Sequence, residues 1–122
     1  MIKLYRKLGR IALKEFSDIV VDVEYREDRL RIHIVDGSFL DVWFSLTIKG
    51  KYAYHWERRF INGTVYRWDN ARHEKWRSIG TYPHHFHEGT REKVKTFYAA
   101  KSPEDNFRKV LKYIRNYLSS RK

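Results

Sequence analysis

The stretch IVVDVEYREDRLRIHIVDGSFLDVWF, residues 19–44, alternates apolar and polar side chains with a period of two and is interrupted at Glu27-Asp28 and Asp36-Gly37. Such alternation, bounded by turn residues, reads as antiparallel strands with one buried face. A two-residue turn at Glu27-Asp28 sets Tyr25 opposite Leu30, Val23 opposite Ile32 and Val21 opposite Ile34, all apolar. Residues facing each other across a sheet share a face, so this pairing makes a continuous apolar surface. A two-residue turn at Asp36-Gly37 would place Asp41 opposite Ile32, inside that surface. A three-residue loop that takes in Ser38 avoids this, matching Ile34 with Leu40, Ile32 with Val42 and Leu30 with Phe44.

Working outward, the same period runs on to Asp69, with further turn signals at Gly50-Lys51 and Asn62-Gly63. Five strands are predicted, at 19–26, 29–35, 39–48, 52–60 and 64–69. Before them, residues 2–16 place Leu4, Leu8, Ile11 and Ala12 on one face of a helix weakened by Gly9. At the other end, Ser102 caps, Pro103 suits the first helical position, and Phe107, Val110, Leu111, Ile114, Tyr117 and Leu118 form a stripe at helical spacing. The expected fold is α+β: a five-stranded antiparallel β-meander with an N-terminal and a C-terminal helix (103–120) packed on one face, a single domain over residues 1–122. No repeat or linker interrupts it, and no cysteine is available for a disulfide, a thiolate metal site or a nucleophile. No apolar run approaches the roughly 18 residues of a membrane span, and no signal-peptide pattern occurs, so a cytoplasmic protein with no membrane partner is expected.

Charge narrows the partners. The 26 Lys+Arg outnumber the 15 Asp+Glu, a net charge of +11. Residues 1–16 carry +4, 17–48 carry −4, 49–101 carry +7 and 102–122 carry +4. A polyanion is the natural partner of such an excess, nucleic acid ahead of a membrane surface, although a charge-rich, thermophile-like surface also accounts for it. With two-residue turns at Gly50-Lys51 and Asn62-Gly63, the exposed face of the sheet gathers Trp43, Tyr54 and Trp56 beside Arg31, Arg58 and Arg67. Rings for stacking next to guanidinium groups suit single-stranded RNA, although half of them closing over a loop as a second small core fits the pattern equally. Arg72 and His84 extend this expected RNA-binding surface beyond the last strand.

Residues 66–89, YRWDNARHEKWRSIGTYPHHFHEG, hold four of the six histidines: His73, His84, His85 and His87. In an extended segment His85 and His87 point the same way and His84 opposite. Three chemistries fit. His85 and His87 with His73 or Asp69 make a three-ligand site for a divalent metal such as zinc or manganese. Without any cofactor, one imidazole acts as base and another as acid while Arg67 stabilises phosphate charge. Or the histidines only contact phosphate or a protein, in a non-catalytic RNA- or DNA-binding regulatory module. No nucleotide-binding glycine loop, nucleophile elbow or paired catalytic carboxylates are present.

Tyr54-His55-Trp56, then Arg67-Trp68-Asp69-Asn70-Ala71 and His73, then Thr81-Tyr82-Pro83-His84-His85-Phe86-His87-Glu88-Gly89 resemble the TumE family of toxin–antitoxin toxins. The resemblance spreads over residues 19–118 and is most specific in 67–89. The family pattern N-A-P-H-H reads Asn70-Ala71-Arg72-His73-Glu74 here, so the first histidine is kept and the second is Glu74. The resemblance implies a small toxin with a DNA-binding antitoxin as cognate partner, and RNA cleavage as its activity. The residues permit transesterification: His85 and His87 as acid and base, Asp69 orienting one imidazole, His73 as a third candidate, and Arg67 on the phosphorane; Asp69 equally fits an ion pair with Arg67 or a turn hydrogen bond made with Asn70. Folding back over the last strand, the loop from Asn70 to Gly89 would bring these five catalytic candidates around one pocket.

Overall fold

A computed structural model describes residues 1–121. Its elements run α1 (Ile2–Glu15), β1 (Val20–Tyr25), β2 (Leu30–Ile34), β3 (Phe39–Phe44), β4 (Tyr52–Arg58), a single turn α2 (Arg59–Asn62), β5 (Thr64–Asp69), a short 3-10 helix (Glu74–Trp76), β6 (His85–Gly89), β7 (Val94–Thr96) and α3 (Pro103–Ser120). The strands form one antiparallel sheet in chain order, β1 to β7. The sheet therefore has seven strands rather than five. Of the two extra strands, β6 comes from the segment read as a histidine loop, where Phe86 faces the core and stacks on Trp68 at 4.5 Å, and β7 follows just beyond it.

Pairing follows the expected alternation, with instructive shifts. Tyr25↔Leu30 and Val23↔Ile32 hold, but a bulge then pairs Val20, not Val21, with Ile34. Val21 is left 62% exposed. Across β2–β3 the pairs are Ile32↔Leu40 and Leu30↔Val42. This is two residues from the expected register, which leaves every side chain on its expected face because two is the sheet's own period. The three-residue loop is Val35–Gly37, closed by Ile34 N–H donating to the Ser38 carbonyl at 2.9 Å, with Gly37 at φ +90°.

The next two turns change parity. Phe44 pairs with Tyr52 across residues 45–51, and Arg58 pairs with Thr64 across α2 and Gly63. An odd shift turns a strand over. Tyr54 and Trp56, expected on the exposed face, are instead wholly buried on the core face. Trp56 donates its indole N–H to Ser38 Oγ at 2.8 Å. Arg58 is also buried, ion-paired to Asp36 and placed over the Trp56 and Tyr117 rings, so it is not part of an exposed cationic surface.

Leu30, Ile32, Leu40, Val42, Tyr54, Trp56, Tyr66, Trp68 and Phe86 share the core with Leu8, Ile11 and Ala12 of α1 and Phe107, Val110, Leu111 and Ile114 of α3. Ser102 Oγ caps α3 by accepting from Asp105 N–H at 3.1 Å. The two long helices are strapped together by Arg108 to Glu15 at 2.8 Å and by Lys7 to Glu104 at 2.7 Å. All of this leaves the opposite face of β3 to β6 open.

Candidate active site

The open face is built by cross-strand pairing. His55 of β4 stands opposite Arg67 of β5, Arg67 opposite His87 of β6, and Asp69 opposite His85. Paired positions carry their side chains within about 4.5–5.5 Å of each other at Cβ. Two strands with polar residues at alternate positions thus concentrate four functional groups in one place.

Asp69 is the hub. Its Oδ2 accepts Arg67 Nε–H at 3.0 Å, and its Oδ1 accepts the Ala71 backbone N–H at 3.0 Å. His85 Nε2 lies 3.1 Å from Oδ1 and His87 Nε2 lies 3.9 Å from Oδ2. Burial resists ionisation of Asp69, but His85, the Ala71 amide and Arg67 outweigh it and hold its pKa down at about 2. The two imidazoles meet edge to face, with centroids 4.9 Å apart, and Trp76 packs against both. Each ring faces a backbone carbonyl with Nδ1: His85 that of Pro83 and His87 that of Arg91, both at 2.8 Å. A carbonyl oxygen only accepts, so both Nδ1 atoms are N–H donors and both rings meet Asp69 through Nε2. Burial disfavours charge on His85, yet Asp69 and the Pro83 carbonyl raise its pKa above the ordinary value. On His87 burial prevails, and its pKa is lowered.

Arg67, Asp69, His73, Trp76, His87 and Arg91 line a cleft of about 620 Å³, with His55 and Lys75 beside them. Arg67 makes only the one Nε bond among the described residues, so its terminal nitrogens are unpaired, and the side chain lines both this cleft and the adjoining hollow. His85, 1% exposed, sits behind Asp69 and does not line the opening. His73 is an exposed wall residue at the start of the 3-10 helix. It is not one of the converging atoms: among the described residues, the side chains that gather ligand atoms within 4.8 Å of one another are Asp69, His85 and His87.

The family model described as Toxin TumE matches residues 9–118, nearly the whole chain. The chain belongs to the TumE toxin family. Comparison with curated proteins and with solved structures gives no match. Membership makes the chain a toxin of a toxin–antitoxin system, with an antitoxin as protein partner. No helix among the described residues is long and apolar enough to cross a membrane. The segment that carries the TumE resemblance most specifically, 67–89, is the one that forms the floor and wall of the cleft.

The remaining candidates are scattered around this cleft. Trp43 lines a neighbouring hollow with Arg29, Asp41, His55 and Arg67. Arg31 is on the same face, but Asp41 holds its guanidinium through two bonds of 2.7 and 2.9 Å. Arg72 and His84 line a second hollow with Lys49 and Lys51, where Tyr52 Oη meets His84 Nδ1 at 2.8 Å. His55, Lys75, Trp76 and Arg91 were not predicted. His55 lies in the quoted Tyr54-His55-Trp56 motif, and once the neighbouring rings are known to face the core, alternation alone sends it to the cleft.

Proposed function

We propose that the toxin is an endoribonuclease that cleaves RNA by attack of a ribose 2′-hydroxyl on the adjacent phosphate. The observation that carries this reading is Arg67, its terminal nitrogens unpaired in a basic cleft whose floor is the Asp69–His85–His87 group. Arg67, aided by Lys75 and Arg91, holds the phosphate and its growing negative charge. The floor group, presented to the cleft through Asp69 and His87, provides the base that removes the 2′-proton. The 2′-oxygen bonds to phosphorus, the bond from phosphorus to the 5′-oxygen breaks, and His73 on the wall returns a proton to that leaving oxygen. The products are a 2′,3′-cyclic phosphate and a 5′-hydroxyl. His85, sealed behind Asp69, orients the carboxylate rather than touching substrate.

Labelled RNA incubated with the purified protein in chelator-free buffer tests this. Cleavage with a cyclic phosphate end is expected, and a strand carrying a single 2′-deoxy residue at the cut site is expected to resist there. Arg67→Ala should lose roughly 10²–10³-fold in rate and some affinity as well. RNA left intact by the wild-type protein, or cut equally well at the deoxy position, would refute the reading.

A further inference from the structure

We propose that Asp69, His85 and His87 form a binding site for one divalent first-row transition-metal cation, of which zinc is the best chemical fit, with its open coordination position facing the cleft. Four observations converge. One carboxylate and two imidazole nitrogens bring their ligand atoms within 4.8 Å of one another. That is close enough for modest side-chain movement to seat an ion at about 2.0–2.2 Å from each. Both rings have Nδ1 committed to a backbone carbonyl at 2.8 Å, which fixes ring orientation and reserves Nε2 for a ligand. A second hydrogen bond of this kind accompanies almost every metal-bound histidine.

The third observation is the state of His85. The ring is 1% exposed, yet its Nε2 has no aligned hydrogen-bond partner although Asp69 Oδ1 is 3.1 Å away. A buried nitrogen aimed at a carboxylate without a proper bond costs stability unless something occupies the angle between them. A cation does so. The fourth is access: Asp69 and His87 line the cleft and His85 does not. Three protein ligands at the floor with solvent on the remaining side is the pattern of a catalytic rather than a structural metal. Two nitrogens and an oxygen suit zinc, and accept manganese or cobalt, better than calcium or magnesium.

Arg67 sets the strength of the site. Its Nε–H shares Asp69 Oδ2, so part of the carboxylate's charge is already committed to a guanidinium, which weakens cation binding. The same neighbour would place a cation and a guanidinium on one phosphate. Resting on the ribonuclease reading, the base would then be hydroxide on the metal: bound water gives its proton to solvent, and the hydroxide takes the 2′-proton and becomes water again.

Full-length protein stripped with chelator and dialysed is titrated with Zn²⁺ by calorimetry, and with Co²⁺ by visible absorption, both without RNA. One equivalent is expected to bind, with a Co²⁺ spectrum of low coordination number. Asp69→Asn and His87→Asn should each weaken binding at least tenfold, and His33→Ala, remote on β2, should not. Arg67→Gln should tighten it several-fold while weakening RNA. Should the Asn variants fail to fold, the wild-type titration and Arg67→Gln still decide. No binding by the wild-type protein, or binding unchanged by both Asn substitutions, would overturn the proposal. Metal binding without RNA cleavage would instead refute only the ribonuclease reading.

Discussion

His55 enters the cleft with its Nε2 3.1 Å from Glu57 Oε1, and that carboxylate also takes the Arg59 guanidinium at 2.7 Å and the Arg59 backbone N–H at 2.9 Å. Arg59 lowers the Glu57 pKa most, burial opposes it, and the result is about 2. A carboxyl with a depressed folded pKa adds stability that is complete above its unfolded pKa of about 4.3 and is lost as pH falls towards its folded value. Urea unfolding of the wild-type protein should therefore weaken between pH 5 and pH 2, and Glu57→Gln should flatten part of that slope. The substitution also withdraws the group that raises the His55 pKa, while burial still lowers it. His55 in the variant should titrate at lower pH in NMR spectra, and an unchanged His55 would break the link.

At the scale of elements, Gly9 explains itself only in three dimensions. Inside α1 it lacks helix propensity, but a Cβ there would lie 2.2 Å from Tyr25 Oη at the end of β1. Alanine gains about 1 kcal/mol over glycine in a helix interior. Gly9→Ala should show no such gain in the wild-type protein and should recover it in a Tyr25→Ala background, as thermal melts of the wild type, both single variants and the double variant would reveal. Both long helices, the first three strands and their faces were legible in the sequence, apart from the β1 bulge that buries Val20 in place of Val21, because apolar spacing and Ser102-Pro103 carry that information locally. The face of β4 was not, and β5 came out on its expected face only because the two odd shifts cancel. Their parity depends on loop length, and neither Gly50-Lys51 nor Asn62-Gly63 marks where the neighbouring strand resumes. In β6 only Phe86 marks the core face among the histidines, so the strand read as a loop. Its alternation nevertheless placed His85 and His87 on one side, next to Arg67 and Asp69. The candidate cluster was therefore visible, while Tyr54, Trp56 and Arg58 were assigned to the wrong face.

For the whole molecule, charge and topology act together. Arg67, Lys75 and Arg91 at the cleft are continued by Lys49, Lys51 and Arg72 around the second hollow, and Ala71 borders both. If a single strand neutralises all six cations, the log–log dependence of affinity on salt should have a slope of about −4, from about −0.7 per phosphate. Measuring binding from about 50 to about 300 mM salt tests this; a slope near zero would mean that these cations do not touch phosphate. Topology adds a matter of timing. Chains emerge from the ribosome N-terminus first, at about 5–20 residues per second, and the sheet is ordered as it is made. Every cleft residue has been synthesised by Glu92, before α3 exists. Until α3 arrives, Trp56, Trp68 and Phe86 lack Tyr113 and Tyr117, the rings that pack across them. A nascent chain thus holds all of its chemical groups and no lid on its oily side, so the harmful protein comes into being only with its final helix.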